Sequence, residues 1–244
     1  IGSEMCIRDG IQGDAQKLKS LLSKIKMNND DHLVFVGDLL GFDGENLETL
    51  KILKNKKLEH KNTFFIKGNH DEGLLGFLQG KAPPIPHLKS LMNKNPEKIE
   101  AKEALDFLKK ENVLDVFTDM IEYYETERCI ITHAPIDINQ WAVYGGFNYL
   151  EDLEEDDLFM GRRILDNMAW ELRQSFIENE QEKIPGMNKF LICGHQFLSN
   201  LKTKEAHRSP RVFKHRAFLD CGCGYRKTSP LFALEYPSKK IIKS

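Results

Sequence analysis

The chain has 244 residues, a length that suits one large domain or two small ones. Hydrophobic residues at 41%, charged residues at 30% and aromatics at 9% make an ordinary globular composition, which excludes disordered, collagen-like and low-complexity chains. Lys+Arg at 35 against Asp+Glu at 37 leave a formal charge of −2, so no global basic field attracts nucleic acid. No apolar run approaches the roughly 18 residues of a membrane span, which argues against a membrane protein.

The segment from Gly2 to Asp9 reads GSEMCIRD, with no apolar periodicity and without the basic start and apolar core of a signal peptide. It resembles one reading frame of a transposase-type sequencing adapter. Residues 1–10 are therefore read as an adapter-derived or disordered leader outside the fold, and residues 11–244 as a single domain.

From Ala15 the pattern turns helical, with Leu18, Leu21, Leu22 and Ile25 at spacings of three and four between lysines. Asn28-Asn29-Asp30-Asp31 ends that helix, and Leu33-Val34-Phe35-Val36 is a short apolar run of buried-strand type, closed by Gly37. Leu47, Leu50 and Leu53 mark a second helix, and Thr63–Ile66 a second strand running into Gly68-Asn69-His70-Asp71. Helix and strand alternate, and each strand is followed by a polar cluster. That order predicts an α/β layered domain with its site at the strand C-termini.

Further on, Pro83–Pro86 reads as a loop and residues 98–110 as an amphipathic helix. Ile121–Tyr124 and Cys129–Thr132 read as a hairpin that ends in His133-Ala134-Pro135. Residues 158–177 give the strongest helical pattern, and strand Phe190–Cys193 runs into Gly194-His195. Val212–Asp220, Leu231–Tyr236 and Lys240–Ile242 alternate as an antiparallel sheet would. The five cysteines (Cys6, Cys129, Cys193, Cys221, Cys223) are odd in number and scattered, which suits reduced thiols in the cytoplasm better than a disulfide framework.

Four of these strand-like runs end beside a side chain that can bind metal. Asp38 follows LVFVG, Asn69 and His70 follow FFIKG, His133 follows CIIT, and His195 follows FLICG. Carboxylate, amide oxygen and imidazole suit borderline divalent ions such as Mn²⁺, Fe²⁺ or Zn²⁺. Any one of these pieces could be a hydrogen-bonded structural residue or a capped turn. A set in this order, each piece after an apolar strand, points to a metal site.

GDLLG, GNHD, THAP and CGHQ, at this spacing, resemble the motifs of the calcineurin-like metallophosphoesterases, over residues 10 to about 236. The resemblance implies a four-layer sandwich of two mixed β-sheets flanked by helices, with two divalent metals, Mn²⁺ first among them, at the strand ends. It implies that Asp38 bridges the metals and that Asn69, His133 and His195 complete the second site. His70 becomes the general acid or transition-state donor, with Asp71 orienting its imidazole. Two cations lower the pKa of a bridging water, so that hydroxide attacks phosphorus in line.

The family's first motif, Asp-x-His, aligns through Gly13 with Gly10-Ile11-Gln12, and Gly10 has no side chain to offer. Gln12 is the weak substitute ligand, and Asp9 is the nearest carboxylate. Asp-x-Gln-Gly resembles the start of bacterial symmetrical dinucleoside tetraphosphatases. Gly41 and Phe42 stand where phosphoprotein phosphatases carry Asp and Arg, and Phe197 replaces the second His of the nuclease-like branch. Phe218–Tyr225 resembles a strand and loop shared by the dinucleoside tetraphosphatase and bacterial protein-phosphatase branch.

The expected substrate is thus a phosphoanhydride or phosphomonoester, nucleotide-like as in a dinucleoside tetraphosphate. A serine/threonine protein phosphatase and a non-catalytic scaffold with a crippled first metal site are the rivals. Arg211 and Arg216, with Arg226 beside them, are candidate phosphate ligands or solvent-exposed charges. Arg162 and Arg163 could face the site, and Trp141, Tyr144 and Phe147 could stack on a base or pack as core. Cys221 and Cys223 read as packing in a tight loop sooner than as metal ligands.

Overall fold

The computed structural model describes residues 2–7, 11–134, 188–195, 209–219 and 229–244. The predicted helix at 158–177, Arg162, Arg163, Trp141, Tyr144, Phe147, Cys221, Cys223 and Arg226 lie outside the described residues.

Helix α1 spans Ala15–Lys24, and the Asp14 carboxylate caps it by accepting from the Lys17 N–H at 3.0 Å. It buries Ala15, Leu18 and Leu21, the face that the leucine spacing marks. Strand β2 (His32–Phe35) follows, then α2 (Asn46–Glu59), β3 (Thr63–Phe65) and α3 (Asn69–Leu78). Short helix α4 (Leu88–Met92) comes after the proline loop, α5 (Ala101–Lys110) lies inside the predicted 98–110 segment, and α6 is Asp115–Thr118. Strands β4 (Tyr123–Glu125) and β5 (Cys129–Thr132) form the expected antiparallel hairpin.

Residues 4–7, which the sequence reading set outside the fold, form strand β1 (Glu4–Ile7). It pairs in parallel with β2 and antiparallel with β9 (Phe232–Tyr236), and so sits at the centre of a five-stranded sheet, order β10-β9-β1-β2-β3, with β10 at Lys240–Lys243. Backbone pairing on both sides gives this short segment a place that its side-chain pattern does not advertise.

The second sheet has the order β4-β5-β6-β8-β7, where β6 is Phe190–Cys193, β7 Arg211–Val212 and β8 Arg216–Phe218. The expected single strand at 212–220 is therefore two. A turn in which the Phe213 N–H donates to the Arg216 carbonyl at 2.8 Å separates them. The C-terminal strands also do not share one sheet: β8 lies parallel to β6, while the β9–β10 hairpin joins β1. Alternation reveals a strand but not its neighbour.

Strand β2 shows why the apolar runs are continuous. Leu33 and Phe35 pack with Leu18, Leu21, Leu50, Leu53, Phe65 and Phe117 beneath the helices. Val34 and Val36 face the other way and join Ile66, Ile131, Ile192, Ala217 and Leu234 between the two sheets. Burial on both faces leaves no polar alternation to see. Mixed sheets with a helical layer are the metallo-dependent phosphatase architecture that the sequence predicts.

Candidate metal centre

The strand ends converge as the motifs require. Gly37 turns the chain off β2 at φ +94°, and a Cβ there would lie 2.5 Å from His133 Nδ1, so glycine is what lets the two loops approach. Asp38 follows at φ +49° and His195 sits at φ +59°, both left-handed and both non-glycine. Such outliers cluster where surrounding structure holds a side chain in a working position.

GNHD is the start of α3. Gly68 caps the helix, and Asp71, at the third helical position, accepts the Gly68 N–H at 3.0 Å as one half of a capping box. The His70 backbone N–H donates to Asp38 Oδ1 at 3.1 Å, so the Asp38 carboxylate lies against the positive end of the helix. A Cβ on Gly68 would come within 2.4 Å of that same oxygen.

His133, from the end of β5, is the hub. Its Nδ1 donates to the Val36 carbonyl at 2.8 Å, which leaves a lone pair on Nε2. Nε2 faces Asn69 Oδ1 at 3.2 Å, His195 Nδ1 at 3.2 Å and Asp38 Oδ1 at 3.7 Å. Acceptors that face one another inside a buried site repel unless a cation stands among them. Asp38, His133 and His195 offer donor atoms all within 4.8 Å of one another, a fit to a divalent ion in chemistry and in reach.

Electrostatics follow from the burial. Burial works against the Asp38 carboxylate, but His133, His70, the His70 backbone N–H and His195 outweigh it and hold its pKa below the ordinary value. Asp71 goes the other way. Burial and then the Asp38 charge push it up to about 8, against the pull of the Gly68 and Leu39 N–H groups.

The role expected for Asp71 is corrected here. Its oxygens take the backbone N–H groups of Leu39 (3.1 Å) and Gly68 (3.0 Å), not the His70 ring, so it ties the two metal loops together. His70 Nδ1 instead lies 3.7 Å from Asp38 Oδ2, buried and without a hydrogen bond. Gln12 comes near through its backbone, whose N–H donates to the Asp38 carbonyl at 3.2 Å.

The two arginines separate. Register sets Arg216 level with Leu191, at the start of β8, whereas the site follows Cys193 at the other end of β6. Arg216 is buried there, at the end of the strand away from the site. Arg211 is level with Phe218, nearer the site's edge, with its guanidinium 5.3 Å above the Phe213 ring.

One participant has no sequence signal. His87 is 3% exposed, and both of its ring nitrogens lack hydrogen-bond partners. Its ring stacks on Phe42 at 4.4 Å and tilts against His70 at 4.4 Å. Burial, with the His70 charge, pushes its imidazole down to about 4, so it is neutral near pH 7. It stands in no motif, after a proline loop, and no spacing rule would single it out.

The calcineurin-like phosphoesterase family model matches residues 11–210. The chain belongs to that family. As a calcineurin-like phosphoesterase it is a metal-dependent phosphoric ester hydrolase by class, and the cluster at Asp38, His133 and His195 is where its donors meet.

Its fold is similar to a candidate diadenosine tetraphosphatase, at TM-score 0.57 and 18% identity over 100% of this chain and 93% of that one. It is also similar to a cold-active protein-tyrosine phosphatase of a psychrophilic Shewanella species, at TM-score 0.54 and 14% identity over 100% and 77%. A metallophosphoesterase from Sphaerobacter thermophilus gives TM-score 0.50 and 11% identity over 99% and 86%. At these identities the likeness is one of fold. No curated protein matches the chain in sequence. Among the described residues no helix is long and apolar enough to cross a membrane.

Proposed function

We propose that this phosphoesterase works with two divalent ions, Mn²⁺ first among them, and hydrolyses a nucleotide-like phosphoanhydride or phosphomonoester, a dinucleoside tetraphosphate before others. The observation that carries the metal reading is His133: tied to the Val36 carbonyl, it turns Nε2 toward Asn69, His195 and Asp38. When bound, the metal pair supplies a nucleophilic hydroxide at neutral pH and neutralises phosphoryl oxygens. The chain's own residues do the rest. Asp38, His133 and His195, with Asn69 beside them, would hold the metal. His70, beside Asp38, donates to the leaving oxygen. Asp71 keeps the Asp38 and His70 loops in register through Leu39 and Gly68. Arg211 is the remaining candidate for a phosphate contact. The buried free thiol of Cys129 supports a reducing, cytoplasmic setting.

The scaffold reading keeps one supporting observation, Gly10 in the place of a ligand. Both readings meet in one experiment: Mn²⁺-dependent hydrolysis of diadenosine tetraphosphate by the chain and by Gly10→Asp, with products identified. ADP as the sole product, faster in Gly10→Asp, is the expected result. Absence of turnover on this substrate, on phosphopeptides and on simple monoesters, with Mn²⁺ bound, would leave the scaffold.

A further inference from the structure

Of the large apolar side chains exposed among the described residues, Leu58 ends α2 and Ile241 lies on β10, whereas Phe42 stands at the metal centre, 43% exposed. Its ring packs on His87 at 4.4 Å with an interplanar angle of 29°, and edge-on to His70 at 5.4 Å.

Buried polar groups fix this pair from behind. Asn46, fully buried, accepts the Gly41 N–H at 2.8 Å and donates to the Gly41 carbonyl at 2.8 Å and the His87 carbonyl at 3.3 Å. The Ser90 hydroxyl accepts from the Asn46 amide at 2.7 Å and lies within donating distance of the same two carbonyls, at 3.3 and 3.2 Å. The residue before Phe42 and the backbone of His87 are thus held by one network, so the exposed ring is pre-oriented rather than loosely placed. His87 brings two orphaned ring nitrogens into the same cluster, and its neutral ring can back an apolar contact without a charge penalty.

We propose that Phe42, backed by His87, is a specificity-determining platform on which a planar aromatic group of the substrate's leaving portion stacks. It rests on the phosphomonoester form of the reading above, with His70 facing the leaving oxygen, and departs from that reading's dinucleoside preference. A ring bonded directly to that oxygen, as in an aryl phosphate ester, begins beside His70 and falls within reach of Phe42. A nucleobase carries the same stacking chemistry but is separated from the scissile bond by its ribose and phosphates, so the 5.4 Å spacing between Phe42 and His70 favours the aryl ester.

The test measures binding, independent of turnover, to the Mn²⁺-loaded full chain and to Gly10→Asp. Phenylphosphonate is compared with methylphosphonate, and AMP with ribose 5-phosphate. Phe42→Leu is expected to weaken phenylphosphonate about three- to tenfold, the range of an aromatic contact, and to leave methylphosphonate unchanged. Phe42→Trp retains the preference. A loss confined to AMP would assign the platform to a nucleobase and overturn the aryl choice. Unchanged ratios for both pairs would overturn the platform itself. If no phosphonate or phosphate binds the metal-loaded proteins, the phosphoesterase reading falls, and this inference with it.

Discussion

A backbone carbonyl orients His133, and much of the site follows from that contact. The Val36 C=O fixes its tautomer, and its other nitrogen faces the Asn69 amide oxygen, the Asp38 carboxylate and a second imidazole. His70 stands apart, since its ring touches Asp38 only at 3.7 Å. His70→Ala is therefore expected to lower kcat by roughly 10²–10⁴ while Mn²⁺ affinity stays within about twofold, read by turnover and by metal titration of one sample. Loss of metal would show that His70 is a ligand. Asp71 gives a pH prediction for the metal-free chain. Its folded pKa, about 8, lies above the unfolded value of 3.8, so the stabilisation is complete below pH 3.8 and lost as pH rises through 8. The urea midpoint should fall from pH 6 to pH 9, and Asp71→Asn should blunt that fall; an equal fall in both would contradict it. At this scale the placing of Asp38, Asn69, His133 and His195 at strand ends was legible, because apolar runs and glycines announce those ends. The real partners of Asp71 were not, since the carboxylate that sequence proximity offers to His70 is used by two backbone amides. Nor was the Phe42–His87 pair, whose loops are joined by Asn46 and Ser90 through the Gly41 and His87 backbones.

Among the elements, the turns after the strands matter more than the strands. Gly37 combines φ +94° with a Cβ position 2.5 Å from His133 Nδ1. Gly37→Ala should cost about 1–3 kcal/mol of stability and weaken Mn²⁺ binding, because strain and displacement of His133 act together. Thermal melts with and without metal check both effects, and a variant that binds Mn²⁺ like the parent would show that the loop has slack. Helix α3 escaped the sequence reading for a physical reason. Its segment NHDEGLLGFL carries two helix-weakening glycines, and its stability comes from the Asp71 cap and the burial of Leu74 and Phe77. The split of β7 from β8 was equally hidden, because the turn between them keeps the alternating pattern.

At the scale of the whole molecule, the two sheets meet through an apolar layer and are clamped by an ion pair. Glu4 of β1, 2% exposed, receives the Arg128 guanidinium at 2.8 Å on both carboxylate oxygens, and Arg128 belongs to the β4–β5 turn of the other sheet. Arg128→Ala strands that carboxylate and should cost up to about 3 kcal/mol, since the guanidinium is partly exposed. A urea midpoint within error of the parent would show that the clamp is not structural. In the inter-sheet layer, Ile131→Ala should cost about 2–5 kcal/mol by the same measurement. The α/β layering was legible from the order of helices and apolar runs, and the sandwich from the family resemblance of the strand-end motifs. The place of residues 4–7 was not, because a short central strand is defined by its pairing on both edges rather than by its own side chains.

The central claim is that the residues at the strand ends hold the metal that the family's chemistry needs. The most direct measurement is metal content per chain after equilibration with Mn²⁺, by native mass spectrometry, for the chain, Gly10→Asp and His133→Ala. The account predicts at least one ion in the chain, two in Gly10→Asp and none retained in His133→Ala. An unchanged ion count in His133→Ala would contradict it.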